Sequence, residues 1–308
     1  MSTHVPLAWM DGRFIPYEDA HIHVRTECVT RGASVFEGVP AYWNDDDGQL
    51  YVFRLGDHMR RLAQSARIMR MTLDYPMSEI QHAMLEVLRR SDVRADVHLR
   101  PTVYFGTGAN FGFRPGDIEV GAFVTANPFP RNVATQSGIR VAVSSWTRIA
   151  DTAMPPRVKA SANYLNSRLA HVQAIIDGYD GAIMLNHLGT VAEAPVACLM
   201  VVRDGKVSTP RVTDGILESI TRASLIELVQ QELHLPVEER EIDRTELYLA
   251  DEVLQCGSAH EVTPVIEIDG YPVGNGEPGD VTRGLMAQYS AAARGEIQKR
   301  MGWLTPVY

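Results

Sequence analysis

The sequence predicts an α/β protein in two lobes, the first of them α+β, and three observations carry that expectation. The chain has 308 residues, and single cores stop growing at roughly 250 to 300 residues. Apolar residues alternate between a period of two and a period near 3.6 along most of the length, so strands and helices are interleaved. The stretch Asn127-Pro128-Phe129-Pro130-Arg131-Asn132 interrupts both patterns with two prolines, the strongest internal break in the chain. The division is therefore expected there, with a small domain over 1–128, a linker over 129–139 and a large domain over 140–308.

The first element is a hairpin. Leu7 to Met10 and Arg13 to Ile15 flank Asp11-Gly12, a pair that adopts positive φ at low cost. Ser34 to Trp43 and Leu50 to Phe53, separated by the polar turn Asp45 to Gly48, read as further strands. Arg54–Met71 and Ser78–Arg90 carry apolar residues at three-and-four spacing and read as amphipathic helices. Val97 to Phe105 and Ile118 to Ala126 are strand-like and enclose a glycine-rich stretch from Gly106 to Gly116. Beyond the prolines, Arg140 to Ser145, Ala182 to Leu185 and Glu252 to Cys256 read as strands, and Tyr164 to Asp177 and Ile220 to Leu233 as helices. No repeat period is present, which excludes solenoids.

Composition narrows the function. With 45% hydrophobic and 22% charged residues the chain is that of a folded globular protein. A net charge of -9, with arginines scattered along the chain, argues against a nucleic-acid partner and for small molecules. Cys28, Cys198 and Cys256 are odd in number and lack C-x-x-C spacing, so neither a disulfide framework nor a metal site is expected. The opening MSTHVPLAWMDGRF has no basic-then-apolar leader, and no apolar run approaches the roughly 18 residues of a spanning helix. A cytoplasmic protein without membrane attachment is the expectation.

Lysine is the most informative count, because only Lys159, Lys206 and Lys299 occur. Lys206 lies in a turn and Lys299 in a polar segment, and both are expected to be solvated. Lys159 follows Pro155-Pro156-Arg157-Val158 and precedes the small-residue run Ala160-Ser161-Ala162, which leaves room for a bulky ligand. An amine that forms a Schiff base must be partly desolvated so that its neutral form is available. From this context alone, a surface lysine at a helix start is an equal alternative.

Several separated motifs, in order, resemble the branched-chain amino-acid aminotransferases, fold-type IV pyridoxal-phosphate enzymes whose fold is like that of D-amino-acid aminotransferase. They are Gly32-Ala33-Ser34-Val35-Phe36-Glu37-Gly38, Phe53-Arg54 with His58-Met59-Arg60-Arg61-Leu62, and Arg100-Pro101. Lys159 with Asn163-Tyr164-Leu165, Glu193, Ile220-Thr221-Arg222, and Leu247 to Val253 ahead of Gly257-Ser258-Ala259 complete the set. The resemblance spans nearly the whole chain.

It implies that Lys159, in the large domain, carries pyridoxal 5'-phosphate and moves the proton between the substrate α-carbon and the cofactor. Glu193 is implied to pair with the ring nitrogen, which keeps the ring an electron acceptor. A solvated strand-end glutamate is the bland alternative. Arg61, Ile220 and Thr221 are implied to hold the phosphate, for which helix-terminal amides suit. A plain helix cap is the alternative for Thr221, and either Arg60 or Arg61 is expected to face solvent. Tyr164 and Ser258 are implied to lie against the cofactor, a core aromatic being the alternative for Tyr164. Phe36, Arg31, His98, Arg100, Ser258 and Ala259 are implied to surround the substrate, although Arg100 before Pro101 could be a strand-end surface charge.

Four positions depart from the family pattern. Arg31 and His98 stand at usual tyrosine positions, Pro40 at a usual arginine, and Ala197-Cys198 where an acidic or small polar residue and Asn are common. A more polar substrate pocket is the expectation, and a buried Arg31 would need a carboxylate on the protein or on the substrate. The expected reaction is ping-pong transamination between an amino acid, branched-chain or a more polar relative, and a 2-oxo acid, with the cofactor held between the lobes of a homodimer or larger homo-oligomer. The rivals are a lyase of the same fold, such as an aminodeoxychorismate lyase-like enzyme, and a non-catalytic metabolite-binding homologue.

Overall fold

The computed structural model describes residues 5–108, 114, 116–129 and 137–308. Most of the expected linker and most of the glycine-rich segment's tip therefore lie outside the described residues. The chain forms two compact units. The first contains Met1–Pro130, Val158–Ala162 and Ala292–Tyr308, and the second Arg131–Arg157 and Asn163–Ala291.

The first unit is built on an antiparallel sheet. Its elements are β1 (Leu7–Met10), β2 (Arg13–Pro16), α1 (Glu27–Arg31), β3 (Ser34–Phe36), β4 (Val39–Asn44), β5 (Gln49–Phe53), α2 (Leu55–Ile68), α3 (Met77–Arg90), β6 (Val97–Gly108) and β7 (Ile118–Pro128). The order across the sheet is Leu304–Pro306, β5, β4, β6, β7, β1, β2, with β3 also paired to β6. The Asp-Gly hairpin forms as expected, with φ of 46° at Asp11 and 85° at Gly12. Both amphipathic helices form and bury their apolar stripes, Leu55, Met59, Leu62 and Ala66 on α2 and Ile80, Met84, Val87 and Leu88 on α3.

β3 and β4 keep one register against β6, since Phe36 lies opposite Thr102 and Val39 opposite Leu99. Between them the Glu37 amide donates to the Pro101 carbonyl at 2.9 Å. Proline has no N–H to return that bond, which is why the ladder is interrupted there.

Two stretches distant in sequence join this unit. Ala160 bridges Val35, the Phe36 amide bonds the Lys159 carbonyl at 3.0 Å, and the Ser161 amide bonds the Ser34 carbonyl at 2.9 Å. These backbone bonds extend the β3 edge and place Val158–Ala162 with the first unit, although the linear division assigned 140–308 to one domain. At the other end, Leu304–Pro306 pairs antiparallel with β5.

The second unit contains β8 (Ile139–Val143), α4 (Asn163–Ile176), β9 (Gly181–Ile183), β10 (Cys198–Arg203), β11 (Lys206–Thr209), α5 (Ile220–Gln231), β12 (Val237–Glu239), β13 (Glu252–Gly257), β14 (Glu261–Ile268) and α6 (Asp280–Ala293, its last two residues in the first unit). Its sheet runs β12, β11, β10, β13, β14, β8, β9 and mixes parallel and antiparallel pairs. The core on it includes Val141, Ile183, Leu199, Val201, Val253 and Val265, all nearly or fully buried. Among the described residues no helix is long and apolar enough to cross a membrane.

Candidate active site

In the first unit the Lys159 backbone is held from two sides. Its carbonyl accepts from Phe36 on β3, and its amide donates to Ser65 Oγ of α2 at 3.3 Å. The side-chain amine lies 5.1 Å from the centre of the Phe36 ring and is partly buried, whereas Lys206 and Lys299 are exposed. Arg100 of β6 stacks on the same ring with its guanidinium carbon at 3.9 Å. An aromatic face attracts cations electrostatically, so Phe36 gathers an amine and a guanidinium at one place.

His98 shares this β6 face, two residues from Arg100. Its imidazole covers Gly38, where a Cβ would come within 2.4 Å of Cε1. Glycine is required there for that reason. Burial, followed by the charges of Lys159, His58 and Arg100, pushes the His98 pKa down to about 4, so the ring is neutral at ordinary pH.

Between β3 and β4, Glu37 is fully buried and meets α2. Arg61 donates Nε to Oε1 and Nη2 to Oε2, each at 2.7 Å, and His58 Nδ1 lies 2.7 Å from Oε2. Arg61 is buried, while Arg60 is exposed and pairs with Asp57. Burial raises the Glu37 pKa, but the charge and hydrogen bond of Arg61, with His58, outweigh it and bring it to about 2. Residues 37 and 58 were not among the candidate site residues, although both stand inside the motifs that carry the resemblance.

Arg31 closes α1 and forms an ion pair with Glu27, one turn earlier, on an exposed part of the helix. The carboxylate that a buried arginine would have needed is thus on the protein, and the arginine is not buried.

In the second unit Glu193 is nearly enclosed, at 5% exposure. Arg148 Nη2 lies 2.8 Å from Oε1, and the Leu217 amide donates to Oε2 at 3.1 Å. The Cys198 thiol approaches the same oxygen at 3.7 Å, and burial, reinforced by the Glu193 charge, pushes that thiol well above its ordinary range. Cys198 is therefore a neutral, weak donor rather than a nucleophile. Arg148 escaped sequence reasoning because 45 positions separate it from Glu193 and neither residue lies in a spaced pattern.

α5 begins at Ile220, with Ser219 as its cap, the hydroxyl accepting from the Arg222 amide at 3.2 Å. The first-turn amides of Ile220 and Thr221 have no acceptor within the helix, which makes this end attractive to an anion. Arg222 points elsewhere, donating to Thr209 Oγ1 at 2.9 Å, the Pro210 carbonyl at 2.9 Å and Glu239 at 2.6 Å. It ties α5 to β11 and β12. Tyr164 is the second residue of α4 and is partly buried. Gly257-Ser258-Ala259 forms the turn between β13 and β14, closed by the His260 amide on the Gly257 carbonyl at 3.0 Å.

The predicted residues thus fall into two groups. Arg31, Phe36, Arg61, His98, Arg100 and Lys159 belong to the first unit, and Tyr164, Glu193, Ile220, Thr221, Ser258 and Ala259 to the second.

Comparison with known proteins gives three results. The family model described as amino-transferase class IV matches residues 34–268. A probable branched-chain-amino-acid aminotransferase of Aquifex aeolicus is 42% identical over 100% of this chain and 98% of its own length. Among solved structures, the branched-chain amino acid aminotransferase of Thermobaculum terrenum in its PLP form superposes with a TM-score of 0.94 at 41% identity, covering 100% of both chains. A second branched-chain amino acid aminotransferase, solved in complex with N-(5'-phosphopyridoxyl)-L-glutamate, does so with a TM-score of 0.93 at 35% identity, again over 100% of both.

Proposed function

Because this chain belongs to the class IV aminotransferases, we propose that it exchanges amino groups between branched-chain amino acids and 2-oxoglutarate, with Lys159 as its catalytic residue. It is a pyridoxal-phosphate-dependent transaminase of fold type IV. The relatives are aminotransferases by name, so the lyase and the non-catalytic homologue are set aside.

The residues present suit pyridoxal phosphate group by group. An aldehyde needs an amine, and Lys159 is the one lysine of three that is partly buried. A phosphate needs a guanidinium and free amides, which Arg61 and the first turn of α5 provide. A protonated ring nitrogen needs a carboxylate, and Glu193 is a buried one. When bound, the cofactor supplies an aldehyde that condenses with amines and a ring that accepts the electron pair released at the substrate α-carbon.

Lys159 Nζ would take the proton from the substrate α-carbon and deliver it to the cofactor in the first half-reaction, and carry one in the reverse direction in the second, acting as base and acid in each half. Glu193 holds negative charge at the ring nitrogen, with Arg148 and the Leu217 amide fixing the carboxylate's orientation. Arg100, supported on Phe36, is the first unit's candidate for a substrate carboxylate, and the Ser258 and Ala259 turn is the second unit's. Tyr164, partly buried in the first turn of α4, would lie against the cofactor. Glutamate is included because one relative was solved with a phosphopyridoxyl-glutamate adduct. A homodimer or larger assembly in the cytoplasm completes the reading, and the exposed apolar residues Leu165, Leu169 and Ile176 on α4 support association.

The observation that carries the proposal is Lys159 itself, pinned between β3 and α2 beside Phe36. Mixing purified enzyme with leucine, valine, isoleucine or glutamate in single turnover is expected to release one equivalent of 2-oxo acid with a change in the visible spectrum. Borohydride trapping is expected to label Lys159, and Lys159→Ala to lower turnover by at least about a thousandfold. Label on Lys206 or Lys299, or no reaction with any of the four donors, would refute it.

A further inference from the structure

Burying a carboxylate is costly unless charged partners surround it, and Glu37 is fully enclosed where β3 meets α2. Arg61 grips it with two parallel bonds, and His58, one turn earlier on α2, approaches the same group. The transfer chemistry above uses neither Glu37 nor His58. Net stability is not what such a pair best supplies, since apolar residues of like volume would fill this space without desolvating charge. What a two-pronged pair adds is geometry, because it sets the plane and roll of a guanidinium that a single contact leaves free to turn.

We infer that Glu37 is a positioning residue for the cofactor's phosphate, holding the Arg61 guanidinium in the orientation that binds it, with His58 bracing the same carboxylate. The inference rests on the reading of Arg61 as the phosphate arginine. It gives a physical reason for the adjacency of Phe36 and Glu37 where β3 ends. Phe36 closes the strand beside the amine of Lys159, and Glu37, the next residue, orients Arg61. The Arg61 charge keeps Glu37 ionised against the pull of burial, with a pKa of about 2, so the fork persists at all working pH values.

The test compares two ligands on the full-length apoenzyme, pyridoxal phosphate and pyridoxal, which lacks only the phosphate. The ratio of their dissociation constants isolates the phosphate contribution, which loss of packing alone would not change. Glu37→Gln keeps the shape, removes the charge and breaks one prong. It is expected to weaken pyridoxal phosphate on the order of 10- to 100-fold while pyridoxal binding stays within about threefold. Arg61→Lys keeps a positive charge but cannot form the fork, and the same fall in the ratio is expected.

Equal weakening of both ligands by Glu37→Gln would overturn the inference, as would an Arg61→Lys enzyme with the wild-type ratio. If Glu37→Gln does not fold, Glu37→Asp, which keeps the charge but shortens the reach to Arg61 by one methylene, takes its place with the same expected fall in the ratio. Arg61→Gln separates the two levels. If it leaves the ratio unchanged, Arg61 does not bind the phosphate and both readings fail. If it lowers the ratio while Glu37→Gln does not, the positioning role alone is wrong.

Discussion

His98, a proposed substrate-site residue, carries an acid-stability signature in one half-buried ring. It sits over Gly38 on the face that also carries Arg100, and its Nε2 has no hydrogen-bond partner among the described residues. Its pKa is about 4 in the fold against an ordinary value of 6.5. As pH falls, the unfolded chain takes up the proton first. The folded state is therefore fully stable above about 6.5 and loses stability between 6.5 and about 4, by at most about 3 kcal/mol. His98→Phe is expected to flatten urea-unfolding stability between pH 6.5 and 4, where the wild type declines. An unchanged decline in the variant would show that other groups carry it. Glu37 acts in a lower window, since its depressed pKa contributes stability that is lost only as pH falls from 4.5 toward about 2. For specificity, Arg31 carries its own carboxylate partner, Glu27, one turn earlier on α1, so it does not depend on a substrate carboxylate to be neutralised.

At the scale of elements, α5 shows how one short motif is divided between two tasks. Ser219 caps the helix through the Arg222 amide, and the Arg222 side chain anchors it to β11 and β12. The amides of Ile220 and Thr221 remain for an anion. Ser219→Ala is expected to cost about 1 kcal/mol of stability, measured by denaturant unfolding of the apoenzyme. If the phosphate sits there, pyridoxal phosphate narrows that difference, and an identical deficit in apoenzyme and holoenzyme would argue against this position for it. α2 divides in the same way, since its apolar stripe enters the core while Arg61 and His58 meet the Glu37 carboxylate just after β3. Periodicity announced α2 and α3 to within about a turn of their ends, because burying one face of a helix is a local constraint on sequence, whereas the five-residue α1 is too short to show a period and was not expected. It said nothing of Arg148 on Glu193 or of Glu37 on Arg61, where no spacing rule connects the partners.

At the scale of the molecule, the C-terminus is part of the first unit. Leu304–Pro306 covers the β5 edge, Val307 is buried, its carbonyl accepts from Arg89 Nε at 2.5 Å, and the Tyr308 hydroxyl donates to the Val93 carbonyl at 2.8 Å. Removing residues 304–308 uncovers an edge strand and is expected to lower the melting temperature by several degrees or more. Calorimetry of the truncated enzyme checks this, and an unchanged melting profile would mean the tail is dispensable. Sedimentation of the full chain tests assembly, a monomer at micromolar concentration being the result that removes the proposed dimer.

By itself the sequence determined the strands and helices that bury one face, the hairpin at Asp11-Gly12, the family and the cofactor, since these depend on local periodicity or on residue types kept in order along the chain. Tertiary structure decided which charges neutralise one another, that Arg31 lies at the surface, and that Val158–Ala162 pairs with β3 in the first unit. Such partners are chosen by backbone pairing and desolvation across long loops, and the energy of a buried ion pair depends on distances that no linear spacing contains.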